Sequence, residues 1–490
     1  SRAIRNERTI SERVMAKQAD PRVMQAMQAL AHGNAQEADS LCRAALADKK
    51  RDDLAMAVLA QVCNSTGKYE EGLQLIKNAI AKNGKRADYH GLLADMLTTQ
   101  GDFRGALRSY DNALKYNSEH QGVIAGKANT FLRLNEPAKA LALIEPIINK
   151  SDKEVGISIV YAKALIELGN PFDASEVLLG RLPAKQESVE TRRTLYFTLG
   201  KAMELAGESE SAFEAYEEGN QLSAGDFDLD ALVTTHDNII NSFQVDSFAS
   251  APSSTNEDSS RVFIVGMLRS GSTLTEQIID AHPNGQGLGE LETLPRILHE
   301  EVGERPWSTL TVDELDAIAK RYLAECSHTS HASAIVDKQL GNYQNLGMIR
   351  KLFPCAKIIH CTRNPLSMGV SCFSQKLPPY TNHWASSLHG IGHFYNEYIR
   401  LMQHWEEVLG DSMLTVSYEQ LVADQEGTTN TILNFVGLDF NPKCMEFWKT
   451  GRAVLTLSQD QVRRPMYNSS VARHERFKKL LDPLRDALGM

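Results

Sequence analysis

Arg269, Ser270, Ser272 and Thr273 crowd around Gly271, a combination suited to holding an anion. The apolar run Arg261-Val262-Phe263-Ile264-Val265-Gly266 leads into Met267-Leu268-Arg269-Ser270-Gly271-Ser272-Thr273-Leu274, and a helical pattern follows to about Ala281. Strand, tight turn and helix in that order aim free backbone N–H groups and a helix N-terminus at negative charge. Gly271 lets the backbone approach, the hydroxyls donate hydrogen bonds, and Arg269 adds charge. The GxxxxGK[ST] spacing with its Lys is absent, which disfavours a nucleoside triphosphatase or a kinase of that kind. The competing reading is a Ser/Thr cap that serves only the helix. Further along, Lys338 follows Asp337 at a strand end, the edge of a parallel sheet where ligands bind. Glu290 follows a Gly-rich turn, with Glu292 close by. Taken singly, these two read equally well as a solvated strand end and a helix-start carboxylate.

The elements that must position these residues are legible. Besides the run at 261–266, strands are expected at Ala334 to Asp337, Ala356 to Thr362 and Met413 to Tyr418, with helical patterns between them. Short apolar strands alternating with helices predict an α/β domain on a central parallel sheet over 261–490. Before it, residues 244–260 are rich in Ser with little to bury, and read as a linker. Residues 1–243 read as an all-α solenoid with a connecting helix. Small residues recur there at a fixed period: Ala38, Gly72, Ala106, Ala140 and Ala174 are 34 apart, and Ala212 follows after 38. A second small residue comes seven later at Ala45, Ala79, Ala113 and Gly219. Turns precede them at Gly33-Asn34, Gly67-Lys68, Gly101-Asp102, Asn135-Glu136, Gly169-Asn170 and Gly207-Glu208. Small residues at one period mark helices that cross closely.

Bulk properties narrow the function classes. The formal net charge of −10 argues against a chain built to coat nucleic acid or an anionic membrane. No apolar stretch approaches bilayer length. Seven cysteines, odd in number and without a CxxC pair, read as buried thiols in a reducing compartment, with cytoplasm as the default. Residues 1–20 carry no apolar leader core, and a start at Ser1 rather than Met leaves a trimmed leader open.

From Leu268 to Thr273 the chain resembles the 5′-phosphosulfate loop of the sulfotransferases, closest to the tyrosylprotein sulfotransferase branch and its bacterial repeat-fused relatives. Leu268 stands where that family usually has Pro. The resemblance continues in order. Ala281-His282-Pro283 with Gly289-Glu290 is similar to the DAHP…GE segment, and Ile335-Val336-Asp337-Lys338 to the strand carrying a catalytic Lys. Leu352 to Pro365 is similar to the LFPxAKxIxxxRxP segment, Val416 to Val422 to the YEQLV segment, and Ser458 to Pro465 to the SxDQVxxP segment. The match spans about residues 261 to 488, and the N-terminal period resembles the tetratricopeptide repeat over about 19 to 226.

The resemblance implies transfer of a sulfuryl group from 3′-phosphoadenosine 5′-phosphosulfate to an acceptor hydroxyl, leaving 3′-phosphoadenosine 5′-phosphate. It makes Glu290 the base and Lys338 the cation beside the leaving oxygen. Arg269 and Ser458 would hold the sulfuryl oxygens. Arg269, Ser270, Gly271, Ser272, Thr273 and Leu274 would line the 5′ side, and Arg363 with Ser371 would grip the 3′-phosphate, assisted by Arg464 and Tyr418. Where related enzymes often carry another Arg, this chain has Gln375, with Lys376 next as a substitute. A carboxylate base is expected to need partial burial to raise its pKa. No metal is expected, because a sulfuryl group carries one charge fewer than a phosphoryl group and fixed Arg and Lys can take that part. The acceptor is a peptide or protein hydroxyl such as tyrosine, or a small molecule or glycan. The repeats are a place for a protein partner. A repeat scaffold with a merely nucleotide-binding domain is the reading from another class, and intact Glu290, Lys338 and Ser458 argue against it.

Three further signals are set aside. His389 and His393 are four apart on a helix but lack the HExxH glutamate and a third ligand. Gly285-Gln286-Gly287-Leu288-Gly289 is not GxGxxG and reads as the loop delivering Glu290. Trp384, Tyr395, Tyr398 and Trp405 read as core packing, with an acceptor pocket second.

Overall fold

The computed structural model describes residues 20–31, 33–50, 52–149, 154–222, 225–326, 332–378, 381–449, 465–466 and 472–490. The chain divides into two compact units, 1–206 and 207–490. Among the described residues, no helix is long and apolar enough to cross a membrane.

The first unit is built of helix pairs, such as Asp53–Ser65 with Tyr69–Lys82 and Ala87–Thr99 with Phe103–Tyr116. The expected turns are the points where each helix stops. Gly33, Gly67, Gly101, Asn135 and Gly169 all have φ between 60° and 83°. The next residue in each case returns its N–H to a carbonyl five residues back, as Lys68 does to Cys63 and Glu136 to Phe131, at 2.8–2.9 Å. That bond satisfies a carbonyl the ending helix would leave bare. The periodic small residues are the crossing points: Ala38, Ala45, Ala79, Ala106, Ala113, Ala140 and Ala174 are at most 1% exposed.

The second unit contains a parallel sheet. Its strands are β1 (Arg261–Gly266), β2 (Gly285–Gly287), β3 (Ala334–Asp337), β4 (Lys357–Thr362) and β5 (Met413–Ser417), in the order β2-β3-β1-β4-β5. Each neighbouring pair is parallel. Three helices matter for the site: α1 (Ser272–Asp280), α2 (Pro365–Phe373) and α3 (Leu388–Leu409). Alternation along the strands sorts the core into two faces. Val262, Ile264, Ile359 and Cys361 pack with Ile278 and Ile279 of α1. Across the sheet, Phe263, Tyr322 and Phe353 form a ring cluster, and His360 meets Tyr398 of α3 at 5.8 Å. Parallel pairing puts all the C-terminal strand ends at one edge. There β1 leads to Arg269, β2 to Glu290, β3 to Lys338, β4 to Arg363 and β5 to Tyr418.

Two findings depart from expectation. β2 is a Gly-Gln-Gly strand with no β-branched residue; its register with Ala334, Ile335 and Val336 of β3 makes it a strand. The Ser-rich stretch expected as a linker is bound to the second unit along its length. Ser254 Oγ and the N–H and hydroxyl of Thr255 donate to Asp316, and the Lys351 ammonium donates to the carbonyls of Phe248 and Ala251. Phe243 stacks on Trp307 at 4.6 Å. Earlier still, helix Ser209–Gln221 sends the Asn220 amide to the Phe373 carbonyl and stacks Phe213 on Phe373 at 4.9 Å. These contacts draw the start of the second unit back to Gly207. Serines look solvent-seeking in isolation, and their carboxylate partner lies 62 residues away.

Candidate active site

The turn expected to hold a phosphate has the form its residues dictate. All six residues of β1 are buried, so the strand end is a fixed mount. Arg269 takes the left-handed conformation at φ 70°, and Gly271 at φ 96° caps α1. A methyl group on Gly271 would lie 2.8 Å from Tyr418 Cδ2, so glycine is required by conformation and by space. The residue at the start of α1, Gly271, has no side chain with which to cap it. Ser270, Ser272 and Thr273 are buried, and the Ser270 hydroxyl has no hydrogen-bond partner among the described residues. Leu274 turns its side chain into the core beneath.

The residues expected to form the second anion grip touch those expected to form the first. The Arg269 Nε donates to Ser371 Oγ at 3.1 Å, and an Arg363 Nη donates to the Arg269 carbonyl at 3.0 Å. The Arg363 guanidinium lies over the Tyr418 ring, 4.6 Å from its centre. Burial pulls the Arg363 pKa below the usual guanidinium range, the mark of a cation kept from water. Ser371 projects from α2, whose start is fixed by the Asn364 side chain accepting the N–H groups of Leu366 and Ser367. Asn364 in turn donates its own N–H to Glu419 at 3.0 Å, tying the ends of β4 and β5 together. Gln375 and Lys376 are half-buried just past α2.

Glu290 and Lys338 come together across the ends of β2 and β3. The fully buried Lys338 ammonium pairs with the Glu290 carboxylate. The Glu290 side chain is 48% exposed, because the chain leaves the sheet at Gly289. Glu292 is distinguished from it, since its carboxylate accepts from the Gln339 amide at 2.6 Å. The Lys338 N–H donates to the Gly289 carbonyl at 2.9 Å, and Gly289, at φ 79°, donates its own N–H to Glu276 on α1 at 2.7 Å. Beneath Lys338, Asp337 accepts from the Tyr322 hydroxyl at 2.8 Å and the Gln339 N–H at 3.0 Å. Burial pushes the Asp337 carboxyl up to about 7.

Glu276, Tyr322 and Asp337 were not singled out by sequence reasoning. The available signal was Glu276 and Asp280, four apart on one face of the helix that follows the turn. Ser458 and Arg464 lie outside the described residues. His389 and His393 are exposed on α3, with ring centres 6.2 Å apart. Among the described residues, no group of three or more His, Cys, Asp or Glu is placed to hold a metal. Trp384, Tyr398 and Trp405 are buried, with the Trp405 indole donating to the Tyr343 carbonyl, while Tyr395 is half-buried.

Comparison with known proteins bears on this arrangement. Residues 261–442 match the family model described as Sulfotransferase family, and residues 29–96 and 97–156 match the tetratricopeptide repeat. The chain is 31% identical over 316 residues to an uncharacterized protein of Aquifex aeolicus (strain VF5), covering 61% of this chain and 42% of that one. It is 29% identical over 238 residues to protein-tyrosine sulfotransferase 1 of Danio rerio, covering 44% of this chain and 66% of that one. To the protein-tyrosine sulfotransferase of Drosophila melanogaster it is 26% identical over 230 residues, covering 43% and 46%. The chain thus spans 42–66% of these relatives' own length. The solved sulfotransferase domain of the Synechococcus PCC 7002 olefin synthase aligns at 19% identity and a TM-score of 0.30, over 46% of this chain and 96% of that one. The glycine-capped turn, the two arginines joined at it and the paired Glu290 and Lys338 all lie within residues 261–442, the part of the chain that matches the sulfotransferase family, and the preceding residues 29–156 match the tetratricopeptide repeat.

Proposed function

We propose that the protein transfers a sulfuryl group from 3′-phosphoadenosine 5′-phosphosulfate to an acceptor hydroxyl, on a peptide or protein and with tyrosine as the first candidate. One observation supports the reading: Arg269 bonds Ser371, and Arg363 bonds the Arg269 carbonyl, so the two proposed anion grips adjoin. The donors fit a nucleotide with phosphates at both ends. Among the described residues the buried Ser270 hydroxyl has no hydrogen-bond partner, α1 opens on a glycine, and Arg363 is buried with an aromatic ring as its support. When bound, the nucleotide supplies an electrophilic sulfur and a phosphate leaving group.

The chain's own residues would then act as follows. Arg269, Ser270, Ser272 and Thr273 hold the 5′ side, with Ser458 as a further hydroxyl. Arg363 and Ser371 hold the 3′-phosphate, with Arg464 assisting. Glu290, at the exposed side of its ion pair, takes the acceptor's proton, and Lys338 offsets charge on the leaving oxygen. Positioning and fixed charge account for most of such catalysis. A peptide acceptor is favoured because tetratricopeptide arrays commonly bind polypeptides and because relatives are named protein-tyrosine sulfotransferases.

The test is incubation of the full chain with radiolabelled 3′-phosphoadenosine 5′-phosphosulfate, tyrosine-containing peptides and a cell extract, followed by identification of the labelled product. Labelled peptide or protein supports the proposal. A labelled metabolite or glycan moves the acceptor to that class. Binding of 3′-phosphoadenosine 5′-phosphate with no labelled product from any source overturns the transferase reading.

A further inference from the structure

α1 runs from the phosphate turn to the segment that delivers Glu290, and its acidic residues do the work of a missing strand. Among the described residues, β2 has β3 on one side and no strand on the other. On its other side, Asp280 accepts the Gly287 N–H at 2.7 Å and Glu276 accepts the Gly289 N–H at 2.7 Å. Leu288 between them points its N–H the opposite way, to the Val336 carbonyl of β3 at 2.8 Å. This is the alternation of an extended chain, with two helix carboxylates four residues apart matching N–H groups two residues apart. At Gly289 the left-handed φ of 79° breaks the alternation. Its N–H faces Glu276 while its carbonyl takes the Lys338 N–H at 2.9 Å. One residue is thereby gripped from the helix on one side and from the Lys338 backbone on the other, and Glu290 follows it directly. Glu276 is 2% exposed. A carboxylate so deeply buried is costly unless its hydrogen bonds are specific, and an apolar side chain would pack α1 against the sheet more cheaply.

We propose that Glu276 is a positioning residue, which fixes Gly289 and through it the Glu290–Lys338 pair relative to the phosphate turn. Because the turn leads directly into the short helix that carries Glu276, the base and the donor site are held together. The inference rests on the sulfotransferase reading and adds a residue to it.

Two substitutions in the full chain test it, Glu276→Ala and Glu276→Gln, read by kcat, by calorimetric affinity for 3′-phosphoadenosine 5′-phosphate and by hydrogen exchange at the Gly289 amide. Displacing a reacting group by about 1 Å can cost about 100-fold in rate, so Glu276→Ala is expected to lower kcat by about that factor. Nucleotide affinity should stay within about threefold, since the loss belongs to the chemical step and not to binding. Exchange at Gly289 should quicken. Glu276→Gln keeps an acceptor oxygen and should restore both kcat, to within about tenfold of wild type, and amide protection. A wild-type protein that binds no 3′-phosphoadenosine 5′-phosphate overturns the sulfotransferase reading, and this inference with it. A wild type that binds it, with Glu276→Ala at full kcat, overturns the inference alone. So does a parallel loss of kcat and nucleotide affinity in Glu276→Ala, or a Glu276→Gln no better than Glu276→Ala.

Discussion

Lys338 is wholly buried and Glu290 is half exposed, so the pair presents its carboxylate outward and keeps its ammonium within. That asymmetry suits an incoming hydroxyl meeting the carboxylate and a leaving oxygen meeting the ammonium. Loss of a positioned base commonly costs 10²–10⁴-fold, so Glu290→Gln should lower kcat by at least about 100-fold. Its affinity for 3′-phosphoadenosine 5′-phosphate should remain near wild type, as initial rates and calorimetry can show. The neighbouring Asp337 offers a test by pH. Burial raises its carboxyl to about 7 in the folded protein, whereas an unfolded Asp titrates near about 3.9. Between those values the folded state holds a proton the unfolded state has lost. Its contribution to stability is therefore fully present below about pH 4 and is lost as pH rises through about 7. Asp337→Asn is neutral throughout and escapes that loss. The melting temperature of the variant relative to wild type should climb from about pH 5 to about pH 8. A flat difference across that range would contradict the assignment.

At the scale of the element, two glycines near the site do different jobs. Gly271 is left-handed and pressed against Tyr418, the ring that supports Arg363. Gly289 is left-handed with nothing within 4 Å of where a methyl would sit. A left-handed backbone costs an L-residue about 1–2 kcal/mol in either place. Gly271→Ala should also push Tyr418 aside and weaken nucleotide binding by about tenfold or more. Gly289→Ala should spare nucleotide affinity and lower kcat, because only the Glu290 mount is strained. Equal effects of the two on calorimetric affinity would refute the division of labour. In the repeats, Ala106 is fully buried at a crossing point, and Ala106→Leu should destabilise the first unit by about 1–3 kcal/mol, measurable by urea unfolding.

For the whole molecule, the decisive feature is where the second unit begins. Phe243 lies stacked on Trp307, Lys351 is held by the carbonyls of Phe248 and Ala251, and Asp316 takes its hydrogen bonds from Ser254 and Thr255. A fragment of residues 207–490 should fold and bind 3′-phosphoadenosine 5′-phosphate with affinity near that of the full chain. A fragment of residues 261–490 retains every proposed site residue yet exposes those rings and leaves the buried Lys351 ammonium without its carbonyls. It should be insoluble or melt at a much lower temperature. Equal stability of the two fragments would show that the strap is dispensable.

Short-range patterns were enough to read much of this protein. A period of 34 with a Gly or Asn before each helix predicts where the chain reverses, because left-handed turns and close helix crossings depend on residues only a few positions apart. Runs at 261–266, 334–337 and 413–417 became strands for the same local reason. Tertiary structure alone decided the rest. Gly285 to Gly287 is a strand because β3 offers partners. Glu276 reads as an ordinary helix carboxylate until Gly289 arrives beside it. The serines at 254 and 260 read as solvated until Asp316 and Asp258 accept from them. Arg269 and Ser371 are 102 residues apart and Lys338 and Glu290 are 48 apart. Those contacts exist because parallel pairing gathers the strand ends at one edge. Local spacing specifies a turn or a helix face, and the meeting of distant side chains is set by the sheet order.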